Sequence, residues 1–92
     1  MSKTFTIIYY QDPSHGWGKV KRHVLQNLGI EDNISSYSYQ FKDNVYLEED
    51  CDLDRLCQRL NQDGVVVKFV EKLTDRESKI RSYEPFKPEK TL

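Results

Sequence analysis

The residues best suited to chemistry in this chain form an acidic run that includes one thiol, Tyr46-Leu47-Glu48-Glu49-Asp50-Cys51-Asp52. The pattern predicts that the run begins as a strand and leads into a helix. One or two carboxylates at a helix N-terminus accept backbone N–H bonds and interact favourably with the helix dipole. Four carboxylates, Glu48, Glu49, Asp50 and Asp52, exceed that requirement. The surplus predicts binding of a cation, of the protein's own C-terminal segment, or of a basic surface on another protein.

We expect the C-terminal segment to neutralise part of this charge. Arg76, Lys79 and Arg81 follow the last predicted strand, which should end on the same side of the sheet as the acidic run. Arginine suits this role because its planar guanidinium can bind a carboxylate through two hydrogen bonds. Arg81 therefore joins the four carboxylates among the predicted partner-binding residues. No calcium-loop spacing is present, and we predict no metal site.

Catalysis by a cysteine is not predicted. Cys51 lies among carboxylates, and the expected topology places no histidine beside it to act as a base. Cys57 falls on the apolar face of a predicted helix, so we expect no disulfide between the two cysteines. A zinc site would need further ligands, and His15 and His23 lie at unsuitable spacing. We therefore predict a protein that is not an enzyme and uses no cofactor.

A second candidate site is the segment Ser14-His15-Gly16-Trp17-Gly18, which the pattern places just before a helix. Exposed N–H groups at a helix start, flexible glycines and following basic residues are typical of a phosphate site. The segment matches neither the Walker pattern nor the dinucleotide fingerprint. The alternative function is thus capture of a small phosphorylated ligand or nucleotide by His15, Trp17, Lys19 and Arg22, at the junction of loop and helix over residues 14–22.

Two tyrosines predict a third kind of surface. Tyr10 and Tyr46 fall on strands that we expect to be adjacent, and should share the open face of the sheet. The strand around Tyr46 lacks the basic, glycine-containing aromatic pattern of RNA-recognition modules, and Glu48 would repel phosphate. A tyrosine-rich face suits a protein interface, because tyrosine supplies contact area at low entropic cost. These residues therefore favour a protein partner over a nucleic acid.

The spacing of apolar residues predicts the strands and helices that position these residues. Strand patterns cover residues 5–10, 37–41, 45–48 and 65–70, and helical spacing covers residues 20–28 and 53–60. The resulting α+β order, β-α-β-β-α-β, predicts a ferredoxin-like split β-α-β fold. This is a four-stranded antiparallel sheet in the order 4-1-3-2 with two helices on one face. It places the loop of His15 and the acidic run at opposite ends, so no site should combine His15 with Asp50.

The expected core takes alternate residues of the strands and one stripe of each helix: Phe5, Ile7, Val45, Leu47, Val67, Phe69, Val24, Leu28, Leu53, Leu56, Cys57 and Leu60. Length predicts a single α+β domain, which we place at residues 1–73. A charged tail, partly docked or flexible, follows at residues 74–92. We expect a monomer or small homo-oligomer.

Composition excludes several function classes. The net charge is −1, with 14 Lys and Arg against 15 Asp and Glu, so the excess of basic residues typical of a nucleic-acid binder is missing. No apolar run approaches the roughly 20 residues needed to cross a bilayer. The N-terminus lacks the apolar region of a secretory signal. We expect a cytoplasmic protein with no membrane association.

Several short motifs also carry a resemblance. They are His15-Gly16-Trp17, Tyr37-Ser38-Tyr39, the acidic run, and Ile80-Arg81 with Tyr83, and together they span most of residues 5–83. On these residues the chain resembles a family of small proteins encoded by bacteriophages and prophages. The resemblance implies a host-cell cytoplasm and an accessory protein that binds and modulates a host protein, such as a defence component. It implies no catalytic residue.

Overall fold

The computed structural model describes residues 3–89, which form a six-stranded mixed sheet with two α-helices. The strands are β1 (Lys3–Gln11), β2 (Gly16–Lys21), β3 (Tyr39–Phe41), β4 (Asn44–Glu48), β5 (Val65–Leu73) and β6 (Glu84–Pro85). The α-helices are α1 (Arg22–Asn27) and α2 (Asp52–Gln62), and 3₁₀ helices cover Glu31–Asn33 and Lys79–Ser82. Neither α-helix of this described part is long and apolar enough to cross a membrane. The strand order is β5-β1-β2-β4-β3-β6, and every neighbouring pair is antiparallel except β1 with β5.

The predicted ferredoxin-like, four-stranded antiparallel sheet is therefore wrong, and the error begins at β2. The spacing predicted a helix there, but residues 16–21 pair with β1 on one side and with β4 on the other. Trp17 packs on one face of the sheet, while Gly18 and Val20 face the other. A side chain at Gly18 would begin 2.5 Å from Leu53 Cδ1, so the glycine leaves room for α2. The two glycines hide the period of two that would otherwise have indicated a strand.

Because β2 lies between β1 and β4, the loops that meet at one end of the sheet differ from those in the predicted fold. β4 is antiparallel to β2, and β2 is antiparallel to β1, so β1 and β4 point the same way. β5 is parallel to β1. All three strands therefore end on the same side of the sheet. The β1–β2 turn, the acidic run after β4 and the segment after β5 come together there, and the predicted separation of His15 from Asp50 is wrong.

Both helices contribute to a single core on one face of the sheet. Its buried members are Ile7, Val20, Leu25, Ile30, Ile34, Val45, Leu47, Leu53, Leu56, Leu60 and Phe86. Cys57, expected in the core, is half-buried against this cluster, and that burial raises the pKa of its thiol. Phe69, also expected in the core, remains 46% exposed because β5 is an edge strand.

The segment that follows β5 completes the sheet and covers its second face. β6 pairs with β3, and Phe86 is buried in the main core. Ile80 is buried on the other face in a second cluster with Trp17 and Tyr46. The structure thus places residues 79–86 of the predicted tail inside the fold, whereas residues 90–92 lie outside the described range.

Candidate binding site

A cleft of about 380 Å³ lies at the end of the sheet where β1, β4 and β5 finish. Its lining combines aromatic rings, carboxylates, a thiol, an imidazole and a guanidinium: His15, Gly16, Trp17, Tyr37, Tyr39, Glu48, Glu49, Asp50, Cys51 and Arg81. We call it the end cleft. It contains the combination of His15 with Asp50 that the predicted topology had excluded.

The aromatic side of the end cleft is built on β2 and β3. Trp17 is only 3% exposed, and its ring meets that of Tyr39 edge-to-face at 6.3 Å and that of His15 at 6.2 Å. Tyr37, which precedes β3, is 80% exposed. The guanidinium of Arg81 lies 5.3 Å from the centre of the Trp17 ring, a cation–π contact. The strands therefore position the rings of Trp17 and Tyr39, while Tyr37 is exposed at the edge of the cleft.

Arg81 is held in place by Asp12 rather than by the acidic run, which corrects the predicted pairing. The buried Asp12 carboxylate accepts hydrogen bonds from Arg81 Nε at 2.7 Å and Nη2 at 3.0 Å. It also accepts the backbone N–H groups of Ser14, His15 and Ser78. The Arg81 guanidinium, followed by these N–H bonds, outweighs burial and holds the pKa of Asp12 well below its usual range. One carboxylate thus ties the β1–β2 turn to the C-terminal segment.

Two of the four carboxylates in the acidic run have structural roles. Glu48 Oε1 accepts the backbone N–H of Cys51 at 2.6 Å and of Asp52 at 2.9 Å, so Glu48 caps α2. Asp52 is 1% exposed and accepts the hydroxyl groups of Ser35 at 2.7 Å and Ser38 at 2.6 Å. This network fixes the chain before β3 to the start of α2. Neither carboxylate is free for an external partner, although both were predicted to bind one.

Glu49 and Asp50 line the end cleft, as Glu48 also does. Glu49 accepts the hydroxyl of Tyr9 at 2.5 Å, and burial together with this bond raises the pKa of Tyr9. A side chain at Gly16 would begin 2.0 Å from that hydroxyl, so the glycine leaves the space it needs. Asp50 is exposed, and among residues 3–89 its carboxylate makes no hydrogen bond or ion pair. The surplus charge that the sequence predicted is therefore concentrated at Asp50, with Glu49 beside it.

The residues predicted to capture a phosphorylated ligand do not converge. His15 and Trp17 line the end cleft, but Lys19 lies opposite Tyr46 in the middle of the sheet. Arg22 follows the far end of β2. At the rise per residue of a β-strand, it lies roughly 16 Å from Trp17. Its guanidinium binds Glu31 at 2.7 Å, along with Gln40 and the C-terminal segment. The predicted junction of loop and helix does not exist, because β2 occupies it.

The predicted open face with Tyr10 and Tyr46 is also largely covered. Tyr46 is 6% exposed and contacts Tyr83 at a ring distance of 5.2 Å and Tyr10 at 6.2 Å. Burial is the main reason that the pKa of Tyr46 is raised to about 12. Tyr46 therefore supports the second core cluster and offers no surface to a partner, while Tyr10 stays half-buried beside it.

Tyr37 and Tyr39 line the end cleft but were not predicted from the sequence, and neither was Asp12, which holds Arg81 without lining the cleft itself. The Asp12-Pro13-Ser14 sequence is a signal for a turn in which the aspartate accepts nearby N–H groups. That signal indicates local bonding and says nothing of an arginine 69 positions away. The alternation of Tyr37 and Tyr39 predicted a longer strand, but β3 starts only at Tyr39.

The end cleft also brings Cys51 near His15, which the predicted topology did not allow. Within residues 3–89, no hydrogen bond joins this thiol to the imidazole, and no three His, Cys, Asp or Glu side chains are grouped to hold a metal ion. Compared with protein-family models, curated proteins and solved structures, the chain matches none. The end cleft, in which aromatic rings lie beside carboxylates, is therefore the feature from which we infer function.

Proposed function

We propose that the protein is a small, non-enzymatic binding module that takes a basic side chain of a partner protein into the end cleft. Rings of tryptophan and tyrosine attract cations through their electron-rich faces. Glu48, Glu49 and Asp50 give the lining three carboxylates against one guanidinium, that of Arg81. That guanidinium is already neutralised by Asp12. The arrangement suits a lysine or arginine side chain and disfavours a phosphate.

The exposed carboxylate of Asp50 is the observation that carries this proposal. It stands in an aromatic-lined cleft, and no basic side chain in the described part of the chain neutralises it. The contact of Arg81 with Trp17 is an internal example of the interaction that we propose for the partner. A partner's cation would lie against the rings of Tyr37 and Tyr39, with Asp50 as its counter-ion.

Affinity should depend on this one charge to a measurable extent. An exposed ion pair contributes about 0.2–1 kcal/mol. Reversing the charge replaces attraction by repulsion, so Asp50→Lys should cost about 1.4 kcal/mol, a tenfold loss of affinity. Raising the salt concentration should weaken wild-type binding, because the pair is exposed to solvent.

The resemblance to bacteriophage proteins supports a host protein as the partner. On that proposal the protein is a phage accessory protein that acts in the host cytoplasm and modulates a host factor, such as a component of defence. The net charge of −1 supports a protein partner over a nucleic acid.

The test compares three immobilised forms of the full chain in host lysate: the wild type, Asp50→Lys and Asp43→Lys. Asp43 is a matched control, since it is an exposed acid in the β3–β4 turn at the opposite end of the sheet. We expect a host protein that the wild type and Asp43→Lys retain and that Asp50→Lys loses. Equal retention by all three forms would place the binding site elsewhere, and no recovered protein would contradict the proposal of a host partner.

A further inference from the structure

The edge formed by β5 differs from the opposite edge of the sheet. β5 is nine residues long, contains no proline, and within residues 3–89 pairs only with β1. The opposite edge consists of the two residues of β6. Of the six large hydrophobic side chains that are exposed within residues 3–89, four lie on β5, at Val66, Phe69, Val70 and Leu73. A long edge strand with exposed apolar side chains and unpaired N–H and C=O groups is a template for pairing with another strand.

We propose that a second copy of the chain occupies this edge, with the two β5 strands antiparallel about a two-fold axis at Phe69. In a continuous sheet the two-fold axis is perpendicular to the sheet, so directly opposed residues must point to the same face. The axis can lie at residue 68, 69 or 70, and each of these three centres meets this condition and leaves most residues of β5 paired. The charged side chains on β5 determine which of these three positions of the axis is favoured.

Like charges directly opposite each other destabilise a strand pair. A centre at Lys68 would place that lysine against its own copy, and a centre at Val70 would place it against Lys72. The centre at Phe69 avoids both, because Lys68 then faces Val70 of the other copy and Val66 faces Lys72. It also pairs Val65 with Leu73 and the two copies of Phe69 with each other. The edge is therefore self-complementary in this one register.

This dimer is independent of the proposed binding function. No residue of β5 lines the end cleft. Since the two-fold axis reverses the strand direction, the two end clefts would lie at opposite ends of the joined sheet and stay open. The dimer would present two clefts to partners.

A pair of variants at one position tests the register. Val70 is 49% exposed, so either charge should be tolerated by the single chain, which circular dichroism would verify. In the proposed register Val70→Glu faces Lys68 of the other copy and Val70→Lys repels it. Sedimentation equilibrium should give the wild type and Val70→Glu twice the 10.9 kDa of one chain, and Val70→Lys a single chain. A monomeric wild type, or equal behaviour of the two variants, would overturn the proposal.

Cross-linking provides a second measurement that does not depend on affinity. In a background with Cys51→Ser and Cys57→Ala, Phe69→Cys would place two thiols directly opposite across the axis. Opposed residues of antiparallel strands have Cα atoms about 4.5–5.5 Å apart, within the range of a disulfide. With Leu73→Cys, the two introduced cysteines would instead lie roughly 26 Å apart, at the rise per residue of a β-strand. Mild oxidation should link Phe69→Cys alone, and equal linking of Leu73→Cys would refute the register.

Discussion

Replacing Asp12 by asparagine should be among the most destabilising single changes at the end of the sheet. The Asp12 carboxylate accepts five hydrogen bonds, two of them from Arg81. Asparagine keeps the shape but removes the charge and turns one acceptor oxygen into a donor. The lost charge-assisted pair is worth about 1.5–3 kcal/mol, and an N–H left without an acceptor costs about 1 kcal/mol more. We expect a total loss of about 2.5–4 kcal/mol, from the roughly 5–14 kcal/mol typical of a chain of this length.

The pH dependence of this difference follows from the direction of the pKa shift. The pKa of Asp12 is lowered in the folded protein, mainly by Arg81, so the ionised carboxylate stabilises the fold. That stabilisation is complete above the unfolded pKa of about 3.9 and is lost as pH falls toward the folded pKa. The difference in unfolding free energy between wild type and Asp12→Asn should be constant from pH 7 to about 5 and shrink below about pH 4.

Urea unfolding, followed by the fluorescence of the single tryptophan, Trp17, measures both quantities. Asp43→Asn is the matched control, since it removes one exposed carboxylate and should change stability by less than about 0.5 kcal/mol. If Asp12→Asn changed stability as little as this control, the stabilising role of the Asp12–Arg81 pair would be refuted. A difference in unfolding free energy that stayed unchanged down to about pH 2, below the range in which an unperturbed carboxyl titrates, would also refute this role.

Three further changes test the structural roles of individual residues, each measured by urea unfolding. Asp52→Asn should cost about 2–4 kcal/mol, because it disturbs the buried bonds to the serine hydroxyls, including that of Ser38; stability within 0.5 kcal/mol of wild type would contradict this. Phe86→Ala should cost about 3–5 kcal/mol, since the ring is buried in the main core; a negligible effect would mean that the C-terminal segment is dispensable. Gly16→Ala should cost about 1–3 kcal/mol, because the new methyl group would displace the hydroxyl of Tyr9; an unchanged midpoint would show that the ring moves freely.

Local signals predicted several elements correctly. The β3–β4 hairpin and strands β1 and β5 follow their alternating or continuous apolar patterns. Gly29 and Gly64 follow the two helices with φ of 72° and 77°, the left-handed conformation expected where a helix ends. Each of these predictions depends on residues a few positions apart.

The predicted topology was wrong where the apolar pattern of a segment was short or was interrupted by glycine. β2 carries glycines at positions where an alternating strand would show large side chains, so its period was unreadable. β6 has only two residues, and Ile80 and Phe86 are single apolar residues in a charged segment, which gives no periodicity to detect. Burial of these two side chains against distant strands decides their position, and that information is not local.

Part of the lining of the end cleft follows from the sequence for the same reason. The acidic run is predicted to bind a partner, and that role stays a prediction; the structure shows that Asp50 of the run lines the end cleft. Its neighbours could not be assigned correctly, because the missing strand reversed the direction of everything beyond it. Arg81 was expected to meet carboxylates, but the acid that it binds is Asp12, 69 positions away, at a turn that the wrong topology placed at the other end of the sheet.

The most direct test of the end cleft as a site for a basic side chain is a titration followed by two-dimensional ¹H–¹⁵N NMR. The probe is a short capped peptide with a single central arginine, and the control is the same peptide with a central glutamate. With the arginine peptide only, we expect concentration-dependent shifts of the Trp17 indole N–H and of the backbone N–H groups of His15, Tyr39 and Asp50. These shifts should be weaker in Asp50→Lys. Equal shifts with both peptides, or shifts from the arginine peptide confined to residues outside the cleft, would contradict this expectation.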